Sequence, residues 1–273
     1  MLALALFIAA GAPAAQALLV PARRVTRGSN RILSEANIEQ LKLVGFGNGL
    51  SVAIEGDTVV VGGRDPVYVL RTSDGGATYD EIAKLTASDA AAGDWFGYPV
   101  AMDGATIVVG APNGEAAYVF RTTDGGATYD QLAKLTASDA AASDRFGCSV
   151  AIDGNTVVVG SPHDDDAGAW SGSAYVFRTT NDGATYGQMA KLTASDGNIG
   201  DYFGWSVAIS NGTVVAGAYD YYGSGSAYVF SPQPTPTAQP TVSPQPTSNA
   251  LGSDAATRTG PLLALLVAAV LAL

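Results

Sequence analysis

Four copies of one short apolar segment constrain how this chain can fold. Ser51-Val52-Ala53-Ile54 returns as Pro99-Val100-Ala101-Met102, Ser149-Val150-Ala151-Ile152 and Ser206-Val207-Ala208-Ile209, with the valines 48, 50 and 57 residues apart. Tyr68-Val69-Leu70 returns as Tyr-Val-Phe from Tyr118, Tyr175 and Tyr228, and Lys84-Leu85-Thr86-Ala87-Ser88-Asp89 returns from Lys134 and Lys191. A repeat of this length is one supersecondary unit that cannot cover its own apolar face and must stack on its neighbours. In the third unit, strand-like runs at 149–152, 156–160, 174–178 and 186–192 alternate with Asp153-Gly154-Asn155 and Thr180-Asn181-Asp182-Gly183. Such turn residues accept positive φ and reverse the chain between antiparallel strands. Four strands per unit, here A to D, predict an all-β chain of β-propeller blades.

The last unit carries strands A, B and C and then runs into a proline-rich segment, so it lacks D. Residues 38–43 (IEQLKL) resemble the D strands from Glu81 (EIAKL) and Gln131 (QLAKL). The sequence therefore predicts four four-stranded blades, the last completed by the N-terminal strand. That closure would remove the open sheet edges that make strands associate. The alternatives are an incomplete propeller arc or a larger ring built from two chains.

Phe96-Gly97 precedes strand A of one unit and Gly110-Ala111-Pro112 follows its strand B; Phe146-Gly147 pairs in the same way with Gly160-Ser161-Pro162, and Phe203-Gly204 with Gly217-Ala218-Tyr219. In these residues the chain resembles the FG-GAP repeat of integrin α-like propellers, over roughly residues 38–230. The first unit departs, with Phe46-Gly47 two residues out of register and Gly62-Gly63-Arg64 in the second half. The resemblance implies extracellular recognition and, often, calcium held by a D-x-D-x-D-G loop between strands A and B. Here those turns are only Glu55-Gly56-Asp57, Asp103-Gly104-Ala105, Asp153-Gly154-Asn155 and Ser210-Asn211-Gly212. They are too short to supply the six to eight oxygens of a calcium shell. A second, local resemblance is to the Asp box of sialidase-type propellers, at Thr72 to Tyr79 and Thr122 to Tyr129, in which Asp74 and Asp124 are expected to bond their own hairpins.

From each strand C tyrosine to the next strand A valine the distance is always 32 residues, and from that valine to the strand B glycine always 10. All length variation therefore falls between B and C, on the face shared by the B–C and D–A loops, where function concentrates on a rigid scaffold. The ligand-binding candidates are His163, Asp164, Asp165, Asp166 and Trp170 in the longest loop, and Tyr219, Asp220, Tyr221 and Tyr222 in its neighbour. Rings supply contact area and carboxylates direction, which suits a glycan or a protein; the bland alternative is a solvated acidic loop. In the D–A loops, Asp89 and Asp94, Asp139 and Asp144, and Asp196 and Asp201 form three pairs at one spacing. Each pair is either a weak calcium site or a set of turn caps. No cofactor is otherwise implied. Asn211-Gly212-Thr213 is an N-glycosylation sequon on the opposite face.

The ends read as addresses. Residues 1–17 are apolar and finish in Ala15-Gln16-Ala17, as a signal peptide does. A basic linker (18–37) precedes the propeller (38–231). A Pro/Thr-rich stalk (232–248) follows, extended because proline enters neither helix nor ladder. Residues 249–273 combine small residues, a spacer and a 13-residue apolar tail, which reads as a glycolipid (GPI) attachment signal or a short membrane tail, with Ser248 and Ser253 as attachment candidates. Both readings expect an extracellular, cell-surface protein with an extracellular protein or glycan partner. The formal net charge of −11 argues against nucleic acid. One histidine, one cysteine (Cys148) and no nucleophile motif argue against an enzyme. Arg71, Arg121 and Arg178 occupy equivalent repeat positions and so read as structural. A binding or adhesion module is the expectation, with a structural surface-coat protein or a glycan-processing hydrolase as alternatives.

Overall fold

The computed structural model describes residues 17–20, 40–43, 45–46, 49–220 and 223–232. The signal peptide apart from Ala17, most of the basic linker, the stalk beyond Pro232, Ser248, Ser253, the apolar tail, Tyr221 and Tyr222 lie outside these residues. Among the described residues there is no helix long and apolar enough to cross a membrane.

Every described regular element is a strand. β1 (Ala17–Val20) and β2 (Gln40–Leu43) pair with each other. Four antiparallel meanders follow. The first is β3 (Ser51–Glu55), β4 (Thr58–Gly62), β5 (Val67–Arg71) and β6 (Asp80–Leu85). The second is β7 (Val100–Asp103), β8 (Thr106–Ala111), β9 (Ala116–Arg121) and β10 (Asp130–Leu135). The third is β11 (Ser149–Asp153), β12 (Thr156–Ser161), β13 (Ser173–Arg178) and β14 (Gly187–Leu192). The fourth has three strands, β15 (Phe203–Ser210), β16 (Thr213–Ala218) and β17 (Ser226–Phe230). These are the expected four propeller blades. The expected completion of the last is not seen: β2 pairs with β1, and β17 is hydrogen-bonded to β16 alone among the described strands. Each pairing of strands C and D carries one register shift at the same place, between Val69 and Leu70, Gln131 and Ala133, and Val176 and Phe177. A repeated bulge of this kind adds twist to the outer edge of each blade.

The blades stack in sequence through two different faces. Val60, Val67 and Val69 of the first blade meet Phe96, Val100, Ile107, Val109, Tyr118 and Phe120 of the second. Val108, Ala117 and Val119 of the second meet Phe146, Val157, Val159, Tyr175 and Phe177 of the third, and Val158 and Ala174 of the third meet Phe203, Val214 and Ala216 of the fourth. The period of two in each strand supplies both faces. The Phe of each of these Phe-Gly pairs is wedged into the interface beside a strand C tyrosine. Phe96, Phe146 and Phe203 are all buried, each edge-on or tilted to the strand C tyrosine of its own blade at 5.6, 5.4 and 5.3 Å.

The glycines make this approach feasible. Gly97, Gly147 and Gly204 have φ of 92°, 95° and 85°, which glycine alone adopts without strain. Their carbonyl oxygens bear on the strand B glycines Gly62, Gly110 and Gly160 of the preceding blade so closely that an added Cβ would lie within 3.0 Å. The two halves of the motif therefore meet across each blade interface. Side chains add staples. Glu55 and Asp103 accept the Gly104 and Gly154 amides of the next blade's A–B turn. Arg71 and Arg121 donate to the Gly125 and Asp182 carbonyls of the next C–D hairpin, the structural role expected of them.

Candidate functional site

The C–D hairpins are self-contained. Asp74 accepts from the Thr78 amide (2.9 Å) and hydroxyl (2.7 Å) and from Thr72 (2.8 Å), and Asp124 repeats this with Thr128 and Thr122. Asn181 takes the same place between Thr179 and Thr185. These bonds hold the Asp74 carboxyl down at about 2 and that of Asp124 well below its ordinary range. Asp74 and Asp124 are turn devices, as expected.

The paired aspartates of the D–A loops do not converge. The second of each pair caps its own loop: Asp94 accepts from Ala91 (3.0 Å), Asp144 from Ala141 (2.8 Å) and Asp201 from Asn198 (2.7 Å). The first reaches the next blade. Asp89 binds Tyr118 and Lys134, Asp139 binds Lys191, and Asp196 accepts from Tyr228. Among the described residues, the three carboxylates close enough to share an ion are instead Asp139, Asp164 and Asp166, and the Lys191 ammonium pairs with all three. Burial opposes the charge on Lys191, but its bonds to Asp139, Asp166, Asp164 and Tyr175 outweigh this and raise its pKa above the ordinary range. A lysine already supplies the positive charge a cation would bring.

The B–C and D–A loops lie together, tied by backbone bonds from Asn113 to Asp94, His163 to Asp144 and Asp220 to Asp201. Asp164 is buried and serves the loop itself, accepting from Ser173, Tyr175 and Lys191, so it is not presented to a ligand. Asp165 is exposed and accepts the Trp170 backbone amide at 2.7 Å, which ties the loop backbone beneath the ring. Asp166 is exposed but engaged by Lys191.

Trp170 and Tyr219, the two aromatic candidates among the described residues, come together through Tyr202. Trp170 stacks on Tyr202 (6.0 Å between centroids, 17° between planes) and Trp205 stacks on Tyr219 (5.4 Å, 29°). Tyr202 joins the two pairs, meeting Trp205 edge-on at 6.0 Å and Tyr219 at 6.3 Å, and His163 lies 5.4 Å from it. Trp170, Trp205 and Tyr219 remain 48%, 46% and 56% exposed despite their size. Burial first, then the nearby Arg145 charge, lowers the pKa of His163. Arg145 continues the row to Trp95, whose ring carries Arg64 at 4.3 Å and Arg145 at 5.3 Å, with Tyr98 at 5.7 Å.

Tyr202, Trp205, Trp95, Tyr98 and Arg145 escaped the loop-length argument, because they sit in D–A segments of constant length, whereas Arg64 lies in the short first B–C loop between β4 and β5. Their signal is substitution within a fixed frame: Trp-Phe-Gly-Tyr at 95, Arg-Phe-Gly-Cys at 145 and Tyr-Phe-Gly-Trp at 202. The residue before each Phe-Gly has φ of 60° (Trp95), 61° (Arg145) and 51° (Tyr202). A bulky side chain in the left-handed region is strained by roughly 1–3 kcal/mol. The backbone turn sends the phenylalanine into the interface and leaves its predecessor on the loop face. Glu115 secures one such turn, accepting the Arg145 and Phe146 amides at 3.1 and 2.8 Å.

Among solved structures, the chain is similar to the computationally designed Ika4 protein (17% identity, TM-score 0.46, covering 68% of this chain and 91% of that one). It is also similar to Saccharomyces cerevisiae Sqt1 (12%, 0.43, 63% and 43%) and to the N-terminal domain of Nup159 (13%, 0.39, 65% and 42%), and spans less than half of either. No curated protein matches it. The FG-GAP repeat model matches residues 79–129, 129–177 and 186–230. With its Phe-Gly and Gly-Ala-Pro halves meeting across successive blades, the chain belongs to the FG-GAP repeat family.

Proposed function

We propose that this protein is a glycan-recognition module that binds through the B–C/D–A loop face. One observation carries the reading: Trp170, Tyr202, Trp205 and Tyr219 form two stacked pairs in one exposed cluster. Exposed stacked rings lose water at little entropic cost, since each ring has only two rotatable side-chain bonds. The apolar faces of pyranose rings stack on such platforms, and the exposed carboxylate Asp165 offers an acceptor for sugar hydroxyls. The stacked rings, rather than any arrangement of acid and nucleophile, carry the reading, which is therefore binding and not hydrolysis.

We further propose an extracellular, cell-surface location with attachment through the C-terminal segment, and a glycan at Asn211. The sequence signals at 1–17, 211–213 and 249–273 support this. Release from cells by a phosphatidylinositol-specific phospholipase is the expected result for the anchor; full retention would contradict it. The binding reading is tested on a glycan array with the wild-type chain and the Trp205→Ala and Trp170→Ala variants. A hit that both variants lose, with quenching of tryptophan fluorescence on titration, is expected. A blank array, or hits indifferent to both substitutions, would overturn it and favour a coat protein.

A further inference from the structure

Among the described residues, the repeat leaves two unlike sheet faces incompletely covered at its two ends, the same two faces that meet at every internal blade junction; on the first blade Phe46, Val61 and Leu70 are buried, but strand A is not. On the first blade, Val52 and Ile54 are 67% and 69% exposed, whereas Val100, at the position of Val52 in the second blade, is 8% exposed against its neighbour. On the last blade, Val229 is 65% exposed, although Val69 and Val119 in the same repeat position are fully buried by the blade that follows. Gly217 tells the same story. Gly62, Gly110 and Gly160 are each covered by the carbonyl of the next Phe-Gly pair, but the three nearest atoms beside Gly217, among the described residues, all belong to Ser206 of its own blade. Apolar faces and an apolar edge strand such as β17 are unstable when exposed.

We propose that two copies of this chain dock head to tail, the fourth blade of each covering the first blade of the other, to close a ring of eight blades. The occupant is a second copy because the partner face that fits the Val229 side is the one built from Val52 and Ile54, and the chain carries that face itself. The contact continues an interface already repeated three times inside the molecule. A heterologous contact used twice across a two-fold axis closes and leaves no end exposed. The ring would also set two aromatic rows on one assembly, which raises avidity for a multivalent ligand.

The test is sedimentation of the full chain in mild detergent, as wild type and as the Val52→Asp and Val229→Asp variants. Both substituted residues are exposed, so both variants are expected to keep the wild-type circular dichroism spectrum. The wild type is expected at the mass of two chains and each variant at the mass of one. Mixed, the variants should recover a two-chain species, because the intact fourth-blade face of one fits the intact first-blade face of the other. A one-chain wild type, association that ignores both substitutions, or a mixture that stays at one chain would each overturn the proposal.

Discussion

Substituting one strand B glycine tests the central packing claim, that a backbone carbonyl of the next blade occupies the space a side chain would need. An alanine Cβ at Gly110 would lie within 3.0 Å of both the Gly147 carbonyl oxygen and the Pro99 ring. Neither can rotate away, because Gly147 is itself held by its bond to Gly160 and Pro99 is cyclic. Overpacking a tight core costs about 1–3 kcal/mol, and with two rigid obstacles we expect the upper end, about 3 kcal/mol. Two controls separate this clash from ordinary glycine effects. Gly104 has open space around it but φ of 55°, so Gly104→Ala should cost about 1 kcal/mol through conformation alone. Gly187 has open space and no positive φ, so Gly187→Ala should be neutral or stabilising by about 0.5 kcal/mol. For a domain of this size 1 kcal/mol moves Tm by roughly 2–4 °C. Melting curves followed by circular dichroism should therefore place Gly110→Ala roughly 6–12 °C below the wild type, Gly104→Ala a few degrees below, and Gly187→Ala at or above it. If Gly110→Ala melts with the wild type, or no lower than Gly104→Ala, the interlock between blades is not what holds them.

The remaining predictions concern charge. Because the Asp74 and Asp124 carboxyls are depressed on folding, the stability they contribute is present above the ordinary carboxyl range near pH 4 and is lost as pH falls toward 2. The double variant Asp74→Asn, Asp124→Asn should melt lower than the wild type at pH 6, and the gap should close at acid pH; a constant gap would refute this. Lys191→Met leaves Asp139, Asp164 and Asp166 uncompensated and should cost about 2–4 kcal/mol, with part of the lost Tm restored by millimolar calcium that leaves the wild type unmoved. Wild-type melting that responds to calcium as strongly as the variant's would count against this. His163 should titrate below its ordinary value by NMR, so ligand affinity should be flat from pH 6.5 to 8; a step in that range would show the imidazolium taking part.

Repeat spacing alone determined the strand order within each blade from residue 51 onward and the loops that vary, since a period of two in each strand and a recurring unit are written locally; β1 and the partner of β2 were not legible in it. The hairpin role of Asp74 was equally local, because its partners lie within four residues. What needed the tertiary structure was every relation between loops far apart in sequence. Asp164 read as a ligand contact, yet it faces inward to Tyr175 and Lys191. The aspartate pairs shared a spacing, yet one member of each serves its own loop and the other the next blade. Trp205 and Tyr202 gave no signal by loop length, and join Trp170 and Tyr219 only because adjacent blades bring three loops to one face. Residues 38–43 look like a D strand, but their described part, Gln40–Leu43, pairs with Ala17–Val20, since likeness in pattern states what a strand can do, and the choice of partner depends on which edge is within reach.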